Sequence, residues 1–231
     1  METLTVLCSN YNSDRWIDGY LESLDSQLLK EFTVIFVDAN STDHSLKTIK
    51  NYKFRDGITK KIIENDKRIT IYEAWNLAVE SSNSEFVINF NTDDRLFPGG
   101  LLTLYNSIVQ SPDVDIIYGT SLLMSDEKHV NIKGIQNWPQ HTHEILLKNC
   151  ICGPFPIVKK SVLVKNGLFN PKYTISGDYE MRLRLSKRNY KFKKITDFVG
   201  TYYDNPKGVS SNNTTLQEHI KQDTEIRNLH R

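Results

Sequence analysis

Residues Phe32 to Val37 read FTVIFV, apolar at nearly every position. A strand of that composition is stable only when both of its faces are covered. Helices on both sides of a sheet provide that cover, which restricts the chain to the α/β class. The flanking sequence supplies the other layers. Leu4 to Cys8 (LTVLC) is a second apolar strand, followed by the helical spacing of Trp16, Ile17, Tyr20, Leu21 and Leu24. After FTVIFV, Ser41 or Asp43 can cap a helix bearing Leu46 and Ile49. A strand through Lys61 to Ile63, a helix through Tyr72, Trp75, Asn76 and Val79, and a strand at Phe86 continue the alternation. This order predicts a Rossmann-like, mostly parallel central sheet flanked by helices and wound by right-handed crossovers.

Beyond residue 100 the pattern loosens. Leu101 to Ile108 is helical and stops at Ser111 and Pro112; a strand follows at Asp115 to Tyr118, then strand and turn to Lys133 and a short helix from His143 to Lys148. GPFPIVKKSVL gives a strand and a helix that Gly167 closes, Asp178 opens another helix, and a polar helix runs from Leu216 to Leu229. No Pro- or Ser-rich linker separates the halves, so a single domain over 1–231 is expected.

Charge narrows the partners. With 29 basic and 28 acidic residues the net charge is +1, which gives no global reason to expect nucleic acid. The basic run Lys187, Arg188, Lys191, Lys193 and Lys194 reads as a solvated helix end and edge strand, with contact to an anionic lipid surface or acceptor as the alternative. Cys8, Cys150 and Cys152 are too few for a disulfide framework and favour a reducing compartment, with cytoplasm as the default. A zinc site from His141, His143, Cys150 and Cys152 would need a CxC pair in place of the usual CxxC. Met1 and Glu2 form no basic leader, and no apolar run approaches the ~20 residues of a membrane span.

The polar residues gather at strand ends. FVINFNTDDRLFP leaves Asp93 and Asp94 just past a buried strand, where open α/β sheets bind their ligands. Adjacent carboxylates there suit a divalent cation that also holds a diphosphate; a solvated turn is the alternative. The loop SNYNSDRW after the first strand has no glycine, so neither GxGxxG nor GxxxxGK[ST] is present. In their place Tyr11 can offer a flat ring and Asp38 an acceptor, a pair suited to a nucleobase; a packing aromatic and a helix-capping acid remain the plainer readings. Asp178 stands at a helix start, as a cap or as a base aimed into a cleft, and Glu180 points about 200° away around that helix.

Taken in order, SNYN, VDANSTD, ENDKRITIYEAWN, FVINFNTDD, GLFNP and SGDYEMRLRL resemble the inverting family 2 glycosyltransferases of the GT-A fold, close to bacterial enzymes that build polysaccharide and lipopolysaccharide. The resemblance covers about residues 4–205. It implies a nucleotide-binding half over about 1–120, an acceptor and catalytic-base half over about 121–205, and a closing loop and helix over 206–231. It further implies that Tyr11 stacks on the uracil of a UDP-sugar, Asp38 bonds the base, Asp66 helps hold nucleotide or sugar, and Asp93 touches ribose or sugar. Asp94 would hold Mn²⁺ or Mg²⁺ on the diphosphate, and Asp178 would be the base. The implied partners are a nucleotide-sugar donor and a glycan or lipid-linked sugar acceptor, handled in the cytoplasm or peripherally at the inner membrane face. Two positions depart from the family: Asn91 replaces the first Asp of a DxDD form, and Arg68 or Ile69 stands where glycine is frequent, which lets Arg68 approach the diphosphate. A non-catalytic nucleotide-sugar-binding module of the same fold is the competing reading, and Asp178 argues against it.

Overall fold

The computed structural model describes residues 4–208, 212 and 214–231. In chain order these form β1 (Leu4–Asn10), α1 (Ile17–Asp25), β2 (Phe32–Asp38), α2 (Ser45–Asn51), β3 (Ile58–Glu64), α3 (Ile71–Ser81), β4 (Phe86–Asn89), β5 (Arg95–Leu96) and α4 (Gly100–Val109). There follow β6 (Ile116–Met124), β7 (Ile132–Gln136), α5 (His143–Lys148), β8 (Ile157–Lys159), α6 (Lys160–Lys165), α7 (Gly177–Lys187), β9 (Phe192–Tyr203) and α8 (Leu216–His230). The strands make one sheet in the order β3-β2-β1-β4-β8-β6-β9-β5, with β7 paired to β6.

Every residue of β2 is buried, as FTVIFV demands. Its alternation divides the core in two. Phe32, Val34 and Phe36 pack with Ile17, Leu21, Ile49 and Leu104 on one face. Ile35 and Val37 pack with Trp75, Val79, Leu183 and Ile226 on the other. Burying each such side chain is worth roughly 1.5–3 kcal/mol, so neither face can turn to water.

The parallel run β3-β2-β1-β4 matches the expected winding. Beyond it β8 enters antiparallel between β4 and β6, and β5 and β7 are antiparallel edges on β9 and β6. The antiparallel entry follows from the path of the chain. Ile157 pairs with Ile88 and Lys159 with Phe86, so β8 starts at the carboxyl end of β4 and runs back down the sheet. The loop before β8 is thereby placed across the strand tips. The strand β9 is long enough to reach the same end, and it passes β5 so closely that a Cβ on Gly200 would lie 2.3 Å from the Arg95 carbonyl oxygen. Only glycine fits there.

The basic run from Lys187 to Lys194 is largely bonded at home. Arg188 donates to Asn166 Oδ1, Lys191 pairs with Asp113 and Lys193 Nζ donates to Ser111 Oγ, as a solvated helix end and strand would. His141 and His143 converge on Ser186 Oγ at 2.8 and 2.9 Å, while Cys150 Sγ lies 3.3 Å from Arg182 Nη1, so three of the four zinc candidates already have protein partners. No helix among the described residues is long and apolar enough to cross a membrane.

Candidate active site

A cleft of about 1140 Å³ opens at the carboxyl ends of β1 and β4, between the loop after β4, the end of β9 and the first turn of α7. One end is built around Tyr11. The Arg68 guanidinium lies over its ring at 3.6 Å, and both side chains line the cleft. Arg68 is brought there by the helix that follows it. Thr70 caps α3 in a reciprocal box, its Oγ1 accepting from Glu73 N and its own N–H donating to Glu73 Oε2 at 2.7 Å, which fixes the entry of the chain.

Asp38 does not face this space. It is 1% exposed, with Oδ1 accepting from Asn10 Nδ2 and Ser41 Oγ, both at 2.6 Å, and Oδ2 from Ser41 N at 2.9 Å. Its acceptor capacity is used in holding two loops together, and Ser41 Oγ in turn accepts from Asn12 N beside Tyr11. Asp38, expected to contact the base, is thus not among the residues lining the cleft and braces the loop that carries Tyr11 from behind. Asp66 is exposed on the surface and is not part of the cleft lining.

The two aspartates after β4 part company. Asp93 lines the cleft, and its Oδ2 accepts from Asn205 Nδ2 at 3.0 Å. Asp94 is fully buried beneath it: Oδ1 accepts from Tyr203 N at 3.0 Å, and Oδ2 has no partner among the described residues. Burial, and then the neighbouring Asp93 charge, push the Asp94 carboxyl well above the ordinary carboxylate range. Of the two carboxylates, Asp93 lines the cleft, whereas Asp94, expected as the metal ligand, is enclosed with one oxygen unpartnered among the described residues. The loop is braced on its backbone by Arg95 Nη1, which donates to the Thr92 and Asp94 carbonyls at 3.0 and 2.6 Å. His129 spans the Asp93 carbonyl at 2.9 Å and Thr201 Oγ1 at 2.6 Å, and burial lowers its pKa.

At the other end Asp178 reaches the cleft from the first turn of α7. Tyr72 Oη lies 2.5 Å from the Ile175 carbonyl and 3.1 Å from Asp178 Oδ1, and Arg182 Nη2 lies 3.1 Å from Asp178 Oδ2. A Cβ on Gly177 would come within 2.8 Å of the Tyr72 ring, so glycine is what lets the phenol approach. Arg182 is itself buried, donating to Cys150 Sγ and to the carbonyls of Ile151 and Gly153. Burial opposes its charge, but the Asp178 carboxylate and the two nearby thiols outweigh that and raise its pKa. Glu180 turns inward, as the helical angle predicts, onto Arg184 at 2.9 Å and His230 at 3.2 Å.

Several lining residues had no signal in the sequence. Tyr72 and Arg182 hold Asp178 and read in sequence as ordinary helix positions. Asn205 and Lys207 come from the loop after β9, and Trp138 from the loop after β7. The SGDYEMRLRL stretch contained Arg182 four residues after Asp178, the spacing of a helical ion pair, and that was the one available clue.

The sequence profile of glycosyl transferase family 2 matches residues 5–162. The chain belongs to this family. Among relatives, it is 25% identical over 224 residues to an uncharacterized glycosyltransferase of Haemophilus influenzae, covering 94% of this chain and 74% of that one. It is 23% identical over 176 residues to the GalNAc(5)-diNAcBac-PP-undecaprenol beta-1,3-glucosyltransferase of Campylobacter jejuni, covering 75% of this chain and 56% of that protein. Its fold matches S. aureus TarS 1-349 in complex with UDP-GlcNAc at a TM-score of 0.78 and 18% identity, over 99% of this chain and 66% of that one. It matches the mannosyltransferase PcManGT of Pyrobaculum calidifontis, in complex with GDP-Man and Mn²⁺, at 0.74 and 16% identity, over 96% and 63%. The fold is GT-A. The chain spans about a quarter of the Escherichia coli chondroitin synthase it also matches.

The family 2 cleft can be tested for a divalent cation on its own donors. Among the described residues no group of three His, Cys, Asp or Glu side chains could hold an ion. Mg²⁺ and Mn²⁺ sites that share a diphosphate need only one or two carboxylates, the rest being phosphate oxygen and water. Asp93 meets that requirement, with the Asn205 amide beside it.

Proposed function

We propose that this family 2 glycosyltransferase moves a sugar from a UDP-sugar to a hydroxyl of a glycan or lipid-linked sugar, with inversion and with a divalent cation, as one domain over residues 1–231. The observation that carries the reading is that Asp93 and Asp178, on different elements, face a single cleft from the two sides that such a reaction needs.

The roles follow from the geometry. Tyr11 offers its ring to the base, and Arg68, which now covers one face, stays beside base or diphosphate as a cation. Asp93 would hold Mn²⁺ or Mg²⁺, which when bound neutralises charge on the departing diphosphate. Lys207 adds a positive charge near the same loop. Asp178 accepts the proton of the acceptor hydroxyl while that oxygen attacks the anomeric carbon; the bond from that carbon to the diphosphate breaks on the opposite side. Tyr72 and Arg182 each occupy one Asp178 oxygen and so fix the direction in which the remaining lone pairs point.

The test is a panel of UDP-, GDP- and dTDP-sugars, each with and without Mn²⁺ or Mg²⁺, read as thermal stabilisation and as nucleotide release. A metal-dependent response to a UDP-sugar is expected, with product of inverted configuration. A protein that is stabilised by UDP-sugars but transfers nothing to any acceptor is instead the silent binding module.

A further inference from the structure

All three tryptophans of the chain, Trp16, Trp75 and Trp138, line the cleft. The indole N–H of each is buried without a hydrogen-bond partner among the described residues. Buried donors are rarely left unpaired, and one beside a cleft is a place where a ligand oxygen can supply the missing acceptor. Trp75 is packed between Tyr72 and Phe169, with ring centroids 5.5 and 5.3 Å away, and Trp16 belongs to the Arg95 end, where its carbonyl accepts from Arg95 Nη2. Trp138 differs from both.

Its segment is pinned immediately after it, by Tyr118 Oη donating to the Pro139 carbonyl at 2.7 Å and Gln140 Nε2 donating to the Phe192 carbonyl at 2.8 Å. Its Cδ1 lies 3.6 Å from the point a Cβ on Gly153 would occupy. The Gly153 carbonyl accepts from Arg182 Nη2 at 3.1 Å, and the same Nη2 holds Asp178. The indole is thus linked to Asp178 through Gly153 and Arg182, at the α7 end of the cleft. Arg182 Nε, on a side chain 5% exposed, is a further unpartnered donor at this end. A flat ring with an N–H at its edge suits a pyranose, which presents a C–H face and hydroxyl oxygens together.

Charge points the same way. Asp178, Glu218 and Asp223 line this end, while Arg182 is committed to Asp178 and to main-chain carbonyls. Asp223 is shared with Ser176, Arg227 and His219. Two other cationic side chains of the cleft lining, Arg68 and Lys207, stand at the Tyr11 and Asp93 end. An anionic group next to the reacting hydroxyl would meet like charge.

Resting on the glycosyl-transfer reading above, we infer that Trp138 orients the acceptor by stacking on, and donating its Nε1 proton to, an uncharged sugar ring, and that the carboxylates beside it exclude acceptors carrying phosphate or carboxylate next to the attacking hydroxyl. The experiment uses the full chain, the UDP-sugar that stabilises it, neutral pyranosides, and the same pyranosides as 6-phosphates and uronates. Neutral acceptors should be used with kcat/KM about tenfold or more above their anionic counterparts. Trp138→Ala should raise the acceptor KM about tenfold or more and leave the donor KM and the metal-dependent thermal shift unchanged; Trp138→Phe should recover part of the loss through the ring alone. An unchanged acceptor KM in Trp138→Ala, a changed donor KM, or equal use of anionic acceptors overturns the assignment while leaving glycosyl transfer intact. A wild type that transfers to neither class overturns both readings.

Discussion

The loop after β4 and the first turn of α7 each carry two carboxylates close in sequence, and each sends one into the cleft and seals the other in protein. The sealed pair differ in their company. Glu180, 4% exposed, is met by Arg184 and His230. Burial works against its charge, but the hydrogen bonds from His230 and Arg184 prevail and hold its pKa below the ordinary value. Asp94 is met by one main-chain N–H and is pushed the other way. A buried carboxylate is favoured as the anion where cations contact it, as at Glu180; at Asp94 the Arg95 charge pulls the same way but is outweighed by burial and the Asp93 charge. The two outward residues, Asp93 and Asp178, line the cleft and are the ones proposed to carry the chemistry.

That contrast can be broken most strongly at Asp178. Asp178→Asn keeps the contacts of a planar side chain but removes the base, and turnover should fall about 10²- to 10⁴-fold with donor binding nearly unchanged, measured as kcat against donor KM. Turnover at the wild-type rate would remove Asp178 from the reaction. Its inward neighbour should behave oppositely. Glu180→Gln leaves Arg184 and His230 without their anion and should cost about 3 kcal/mol of stability, read by urea unfolding. Because the Glu180 pKa is depressed in the folded protein, its contribution is present above about pH 4.3, the ordinary glutamate value, and is lost as pH falls through the folded value. Stability measured across that acid range should therefore drop less steeply in Glu180→Gln than in the wild type.

The β4 loop gives smaller effects. Asp93→Ala should weaken Mn²⁺-dependent donor binding at least ~10-fold, the loss typical even of outer-shell changes at metal sites, and titrations with and without Mn²⁺ should converge. Asp94→Asn should change stability by less than about 1 kcal/mol, since the amide oxygen can still accept from Tyr203 N and the second oxygen had no bond to lose. If Asp94→Asn abolished metal-dependent binding and Asp93→Ala did not, the assignment within the pair would be reversed.

These fates mark the boundary of what the sequence shows. The apolar runs at Leu4, Phe32 and Phe86 and the helical spacing through Trp75 and Val79 fix strands and helices because burial repeats with the period of the backbone. The Asp178 and Glu180 directions could be read for the same reason, from an angle along one helix. Asp93 and Asp94 follow a strand into a loop, where no period holds, and their directions are set by Tyr203 and Asn205, more than a hundred residues away. Asp38 stood where a ligand contact was expected, yet Asn10 and Ser41 were equally near and took its oxygens. Trp138 lay in an unpatterned stretch, and nothing local distinguished it from a surface aromatic.

The first turn of α3 serves both ends of the cleft. Arg68 covers Tyr11 two residues before the cap at Thr70, and Tyr72 touches Asp178 two residues after it. Five residues of chain, Arg68 to Tyr72, thus join the ring proposed to meet the donor's base to the carboxylate proposed to deprotonate the acceptor.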